Sequence, residues 1–480
     1  MVDSASARVQ QFRSILLAVV VLIWLNVSLA GSDDSALTQT DERPNILVIL
    51  ADDLGYGDLG CTGHPDTKTP HIDSLAREGT RYSQFYVHML CSPTRVSALT
   101  GQLPARWRIF GHLAALEDNR RRGMPDWLDS SAPSMPKALQ AAGYKTAHFG
   151  KWHLGGGSGS YKDGKLFINH PEAPLVTSYG FDIARSAWGN GPTWKSGLPV
   201  ERAHDTYTYD EPQWQTWSSR MICDSTLEFL DQHARQEATQ PFYLQVWLSD
   251  PHTPLRPTEE MRAPYKHLPD PQQTHSAMVT YMDSQIGRIL AKIDDSKMRS
   301  KTLVIFYSDN GGVLNRGANN GPLRGEKWTL YEGGIRVPLI ARWPGKVAVG
   351  RVDTDSVLNV CDLVPTLCEL AGANMPAGYL SDGVNVVSAL TGLGYRRTEP
   401  MFWYHPTGGA RCPELAIRWN DWKLLVDANG NRRALHNLAS DLAESKDLAA
   451  TEPEAASKLQ ERLLAWYREL PIPNQRETQR

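Results

Sequence analysis

The sequence predicts an α/β fold: a large domain with a mostly parallel central sheet flanked by helices, then a smaller unit of short strands and a final helix. Residues 45–50, 242–248 and 302–307 are continuous apolar runs, as expected of strands buried on both faces. Each run ends in a turn that carries an aspartate. Helical patterns such as residues 284–293 lie between them, and such alternation favours a parallel sheet. In sheets of this kind the carboxyl ends of the strands meet at one crevice.

Composition sets the outer bounds. A chain of 480 residues with 41% hydrophobic content and a net charge of −3 is a folded globular protein, large enough for one big domain and a smaller one. So balanced a charge excludes the basic footprint of a nucleic-acid binder. The cysteines at 61, 91, 223, 361, 368 and 412 are too few and too scattered for a disulfide scaffold, and no Cys-x-x-Cys pair suggests zinc.

The elements follow in order. Arg8 and Arg13 precede the apolar stretch 15–27 and the small residues Ser28-Leu29-Ala30, the pattern of a secretory signal peptide over residues 1–30. Export to a secreted or periplasmic location follows, with no stable membrane insertion after cleavage; the alternative is an uncleaved anchor. Residues 31–43 read as a polar linker, and residues 44–392 as the large domain. The first strand runs into Asp52-Asp53-Leu54-Gly55. Two adjacent carboxylates at the end of a buried strand repel each other unless a cation sits between them. The strand at 242–248 leads to Asp250-Pro251-His252, and the one at 302–307 to Asp309-Asn310-Gly311-Gly312. Strand-end geometry therefore brings Asp52, Asp53, Asp309 and Asn310 together. This all-oxygen donor set suits Ca²⁺ or Mg²⁺ rather than zinc.

Cys91-Ser92-Pro93-Thr94-Arg95 opens a short helical pattern ending in Leu99-Thr100-Gly101. A thiol near a cation and a helix start can be an activated nucleophile, but for an arbitrary cysteine the commoner reading is a buried structural one. In Gly150-Lys151-Trp152-His153-Leu154-Gly155, Lys151 and His153 alternate along an extended segment and face one side. Residues 155–215 read as long loops over the site, with Trp188, Trp194, Trp214 and Trp217 as candidate sugar platforms. Arg106, Trp107 and His112 are candidate lining residues, and Arg120-Arg121-Arg122 is either a solvated face or a patch for an acidic polymer. Lys327 lies in Leu323-Arg324-Gly325-Glu326-Lys327-Trp328. Residues 393–480 form the second unit, with strands at 416–419 and 422–426 and a helix from about 452 to 470.

The stretch from Cys91 to Gly101 resembles the sulfatase signature Cys-x-Pro-x-Arg-x-x-x-Leu-Thr-Gly at every fixed position. Residues 143–155 resemble the second signature of that family, and the segments around Lys327 and 434–441 are typical of it too. The resemblance runs from Arg43 to the C-terminus. It implies an alkaline-phosphatase-like large domain and a small α+β subdomain with an antiparallel sheet. It also implies that a maturase oxidises Cys91 to formylglycine, whose hydrate attacks sulfur. Ca²⁺, ranked over Mg²⁺ on the resemblance, would be held by Asp52, Asp53, Asp309 and Asn310 together with residue 91. Lys151 and Lys327 would hold the sulfate, and Arg95 would position the nucleophile and its neighbours. His153 would act as base and His252 as acid. The expected activity is hydrolysis of sulfate monoesters on a sulfated carbohydrate. The alternatives are a phosphonate or phosphodiester hydrolase of the same superfamily, and a non-catalytic sulfoglycan-binding protein.

Overall fold

The first strand, β1 (Asn45–Ala51), is buried along its whole length. Leu47 and Ile49 face one side of a sheet, while Ile46, Val48 and Leu50 face the other. A strand covered on both faces is the middle of a three-layer stack. The structure is a computed structural model that describes residues 43–155, 157–158, 168–169, 172–187, 211–235, 240–406 and 411–472. The expected signal peptide and nearly all of the expected linker lie outside those residues, as do Trp188 and Trp194. Among the described residues no helix is long and apolar enough to cross a membrane.

The large sheet is built on β1, β2 (Thr80–Tyr86), β3 (Lys145–Lys151), β4 (Ile183–Ala187), β5 (Phe242–Trp247), β6 (Thr302–Ser308) and β7 (Arg336–Arg342). Its order is β2-β7-β6-β1-β5-β3-β4, with the short strand Arg351–Asp353 outside β2. The pairs β1·β5, β1·β6, β3·β5 and β3·β4 are parallel. Only β7 runs against its neighbours β6 and β2, so the sheet is mixed but mostly parallel.

The helices α1 (Pro70–Arg77), α2 (Cys91–Thr100), α3 (Leu116–Arg121), α4 (Met135–Ala141), α5 (Glu211–Arg235), α6 (Gln272–Asp294) and α7 (Leu363–Ala371) follow in chain order. One face of the sheet packs on α1, α5 and α6 through residues such as Leu75, Ile222 and Ile286. The other packs on α2, α4 and α7 through Leu99, Leu139 and Leu367. Each such side chain contributes about 1.5–3 kcal/mol on burial.

The expected loop region 155–215 is corrected at both described ends. β4 extends the sheet, and α5 begins at Glu211. β4 reads Ile-Ala-Arg-Ser-Ala; as an outer strand with polar side chains it lacks the apolar run that marks β1.

A second sheet is antiparallel: β8 (Met401–Tyr404), β9 (Leu415–Trp419), β10 (Trp422–Val426) and β11 (Arg433–Asn437). Leu415, Ile417, Leu424 and Val426 bury one face against Leu459 and Leu463 of α8 (Pro453–Arg468). The opposite face places Ala416 and Leu425 on Met89, Leu90, Leu330 and Ile335, the flanks of Cys91 and of the Lys327 segment. A buried charge cluster joins the same two parts. Lys423 Nζ lies 2.9 Å from both Glu332 and Glu444, and the Glu332 amide donates to Glu444 Oε2 at 2.7 Å.

Candidate active site

Six chain segments converge at the carboxyl ends of β1, β3, β5 and β6. The helix α2 starts at Cys91 after the extended Leu90 and ends at Gly101, whose φ of +67° gives the left-handed stop. All ten of its residues are buried, so the nucleophile candidate is fixed by packing along the entire helix.

Cys91 Sγ lies 3.5 Å from Asp52 Oδ1, 4.0 Å from Asp53 Oδ1 and 3.8 Å from Lys151 Nζ. Burial, then Asp309 and Asp52, push its thiol well above the usual range against the pull of Lys151 and Lys327. Of the two readings of the thiol, the buried cysteine is the one its surroundings favour. Desolvation and two carboxylates outweigh the lysines and disfavour the thiolate.

Arg95 ties the strand ends together. Its Nη2 reaches Asp309 Oδ2 at 2.8 Å and Asp52 Oδ2 at 3.2 Å, while Nη1 donates to the Lys151 carbonyl at 2.6 Å. The guanidinium is buried and sits over Trp247, 4.9 Å from the ring centre. Lys151 pairs with Asp52, and Lys327 Nζ lies 2.7 Å from Asp53. Burial raises both carboxyls, but the surrounding cations more than reverse it and hold Asp52 and Asp53 below the usual range. For Asp309, burial and Asp52 prevail over Arg95 and push the carboxyl up to about 6.

The two histidines carry opposite free nitrogens. His153 Nε2 donates to the Leu113 carbonyl at 3.1 Å, which leaves Nδ1 as a buried lone pair without a hydrogen-bond partner. His252 Nδ1 donates to the Thr253 carbonyl at 2.6 Å, which leaves Nε2 bare, 3.5 Å from Asp53 Oδ2. Burial pushes His252 down to about 4; Asp53 opposes that shift, and Lys327 and Lys151 reinforce it. His153 is lowered further, by burial and then by Lys151 and Arg95. Both imidazoles are neutral.

The extended geometry expected for Lys151 and His153 is not what brings them together. β3 ends at Lys151, and His153 adopts φ +52°. Asp53 at +65° and Trp328 at +71° are likewise left-handed, so three non-glycine residues at or beside the site occupy a region that costs about 1–3 kcal/mol each. Gly311 meets a different demand: a Cβ there would lie 1.7 Å from the Gly333 carbonyl.

Hard oxygen donors of Asp52, Asp53 and Asn310 meet here, with a thiol and an imidazole beside them. Asp52, Asp53, Cys91 and His252 each offer an atom within 4.8 Å of the others. Asn310 Nδ2 donates to Asp53 Oδ1 at 2.8 Å, and its Oδ1 is buried without a hydrogen-bond partner, an orphan acceptor of the kind a cation satisfies. Asp309 stands behind this group, accepting the Asp53 amide at 3.1 Å.

Other expected lining residues are placed elsewhere. Arg106 makes a two-point pair with Asp382 at 2.6 Å, and Trp107 packs on the core and donates to Gln102 at 3.1 Å. Trp214 is only 2% exposed, and Trp217 lies edge-on to Tyr281 on α6, so neither is an open platform. His112 stands at the rim, its ring 6.4 Å from that of His153.

Sequence reasoning missed three supporting groups. Ser92 Oγ donates to the His153 carbonyl at 2.7 Å and accepts the Leu113 amide at 2.9 Å. The buried pair Asp58–His275, at 3.0 Å, holds the Gly55 turn, whose amide donates to Asp58 Oδ2 at 2.7 Å. Asp250 accepts from Ser218 and Ser219, and its carbonyl accepts the Asp52 amide at 3.1 Å. Asp58 was within view, one residue past the glycine turn; the other partners lie too far along the chain to be signalled.

Comparison with known proteins gives concordant matches. A family profile described as "Sulfatase" matches residues 44–373, and one described as "N-sulphoglucosamine sulphohydrolase, C-terminal" matches residues 325–469. Arylsulfatase A of Homo sapiens is 31% identical over 428 residues, covering 85% of this chain and 80% of that one. N-acetylgalactosamine-6-sulfatase of Canis lupus familiaris is 31% identical over 372 residues, 76% of this chain and 69% of the other. The solved structure of Ps i-CgsB in complex with k-i-k-neocarrahexaose superposes with a TM-score of 0.72 at 28% identity, covering 88% of this chain and 92% of that one.

Proposed function

The chain belongs to the sulfatase family and hydrolyses sulfate esters, and from that premise we propose that its substrate is a sulfated carbohydrate, cleaved with Ca²⁺ and a formylglycine made from Cys91. One observation carries the nucleophile assignment. Cys91 lies at the centre of the converging loops in a stretch that carries the family signature, and burial and the neighbouring carboxylates disfavour its thiolate, which supports a different chemical form of residue 91 as the nucleophile. Formylglycine supplies that form, a hydrated aldehyde whose hydroxyl attacks sulfur. Ca²⁺, when bound, would supply Lewis-acid polarisation of the sulfate oxygens, and Asp52, Asp53, Asp309, Asn310 and residue 91 would hold it.

The remaining work falls to side chains already in place. Lys151 and Lys327 pair with carboxylates across the site, so their ammonium groups are at hand for the sulfate oxygens. Arg95, pinned by four buried hydrogen bonds, has no freedom to follow the substrate and acts by holding Asp52, Asp309 and the end of β3. The bare Nδ1 of His153 accepts a proton from the nucleophile. The bare Nε2 of His252 takes up a proton when a sulfate anion adds its charge beside it, and passes that proton to the leaving oxygen.

The carbohydrate reading draws on one relative named as a sugar sulfatase, on a structural neighbour solved with an oligosaccharide, and on the expected export of the chain. The first experiment is mass spectrometry of the tryptic peptide 82–95 from protein made in its native host. An aldehyde mass at Cys91 is expected; an unmodified thiol sinks the nucleophile assignment. Turnover of matched sulfate and phosphate esters checks the reaction class, with sulfate preferred. Calcium gives a second readout. At about 100 times its dissociation constant it is expected to stabilise the fold by about 2.7 kcal/mol, seen as a raised thermal midpoint. An equal rise with magnesium, or none with either ion, overturns the Ca²⁺ assignment.

A further inference from the structure

The three arginines 120–122 do not share one environment. Arg120 pairs with Asp126 at 2.9 Å and Arg121 with Asp118 at 2.7 Å, both on the exposed surface. Arg122 is half-buried and meets only neutral acceptors: Nε donates to the Asp118 carbonyl at 3.0 Å and Nη2 to Asn119 Oδ1 at 2.9 Å. Among the described residues Arg122 has no carboxylate partner, and its Nη1 has no hydrogen-bond partner. That nitrogen lies over Gly111, where a Cβ would come within 3.4 Å of it. The next residue, His112, has its ring 6.4 Å from His153. A short path therefore leads from the reaction centre, across His112, to a guanidinium nitrogen that is not engaged.

The electrostatics agree with the geometry. Burial and the neighbouring Arg121 lower Arg122 against the pull of Asp118, whose carboxylate is already held by Arg121. Part of His112 reaches solvent, but the protein packed around its ring pushes it down to about 4, as do Arg122, Lys327, Lys151 and His252. The mouth of the site thus carries a cation short of an anion beside a neutral imidazole that can donate and accept.

We propose that Arg122 and His112 form a substrate subsite that takes an acidic substituent, a uronate carboxylate or a second sulfate, next to the scissile sulfate. This rests on the carbohydrate reading. The planar guanidinium suits an oxyanion, and charge-assisted hydrogen bonds of this kind are among the stronger polar contacts. The imidazole lies between Arg122 and the reacting group, where a sugar hydroxyl would sit.

The probes are an unsaturated chondroitin 6-sulfate disaccharide, its carboxyl methyl ester, and the disulfated form of that ester. In the wild-type enzyme the free acid is expected to have the higher kcat/KM. In Arg122→Gln the ratio of acid to ester is expected to fall at least about tenfold, while in Arg121→Gln it holds. If instead the ratio of disulfated to monosulfated ester falls, the second sulfate is the occupant. Both ratios within about twofold of wild type overturn the subsite. Should the disaccharides bind without being cleaved, the same ratios are read from inhibition of p-nitrophenyl sulfate hydrolysis. In that case the carbohydrate reading fails and the subsite is still tested. Absence of any inhibition overturns the subsite as well.

Discussion

Cys91→Ala is expected to lower sulfate-ester turnover at least ~10³-fold while leaving a folded protein. The substitution removes the thiol that conversion to an aldehyde requires, and little else. Cys91 Sγ makes only long contacts, at 3.5–4.0 Å, with Asp52, Asp53 and Lys151. Losing one buried sulfur costs on the order of 1 kcal/mol in packing. The check pairs initial rates on p-nitrophenyl sulfate with a thermal melt of the same sample. Turnover within tenfold of wild type, with Cys91 gone, would falsify the assignment of residue 91. A collapsed melt would instead put the cysteine in a structural role.

The second large effect is on stability. Arg95→Met, measured without calcium, is expected to cost about 3–5 kcal/mol, because it strands the buried Asp52 and Asp309 carboxylates beside one another. Asp309 is already pushed up to about 6 and is the cheaper of the two to neutralise. Asp309→Asn in the same background is therefore expected to restore part of the loss, a coupling that a double-mutant cycle reads directly. Denaturant titrations of the four proteins supply the cycle. A cost below about 1 kcal/mol for Arg95→Met would mean that Lys151 alone neutralises the strand ends.

Much of this was legible in the chain because burial on both faces leaves an unbroken apolar signature. β1, β5 and β6 announce themselves in that way, and the aspartates at their ends inherit a common location from the parallel topology. β4 does not, since an outer strand tolerates Arg185 and Ser186. Nor does the reversed direction of β7, which depends on how residues 323–335 fold back over the site rather than on any pattern within 336–342. The pairs Asp58–His275 and Glu332–Lys423–Glu444 were invisible for another reason. Each residue alone reads as a surface charge, and only the completed fold sets them opposite a partner in the interior. The extended geometry expected at His153 fails because a left-handed φ at a non-glycine position leaves no mark in sequence.

The tie between Lys423, Glu332 and Glu444 sets a timetable for the chain. Leu90 and the Lys327 segment find their cover only when β8–β10 have docked, and Glu444 is 353 residues beyond Cys91. At ~5–20 residues per second of synthesis, that separation corresponds to about 20–70 s. Throughout that interval residue 91 has emerged but the closing sheet has not, whereas in the finished protein its side chain is 1% exposed. If Cys91 is converted as proposed above, the unfinished chain is where that side chain lies open to an enzyme.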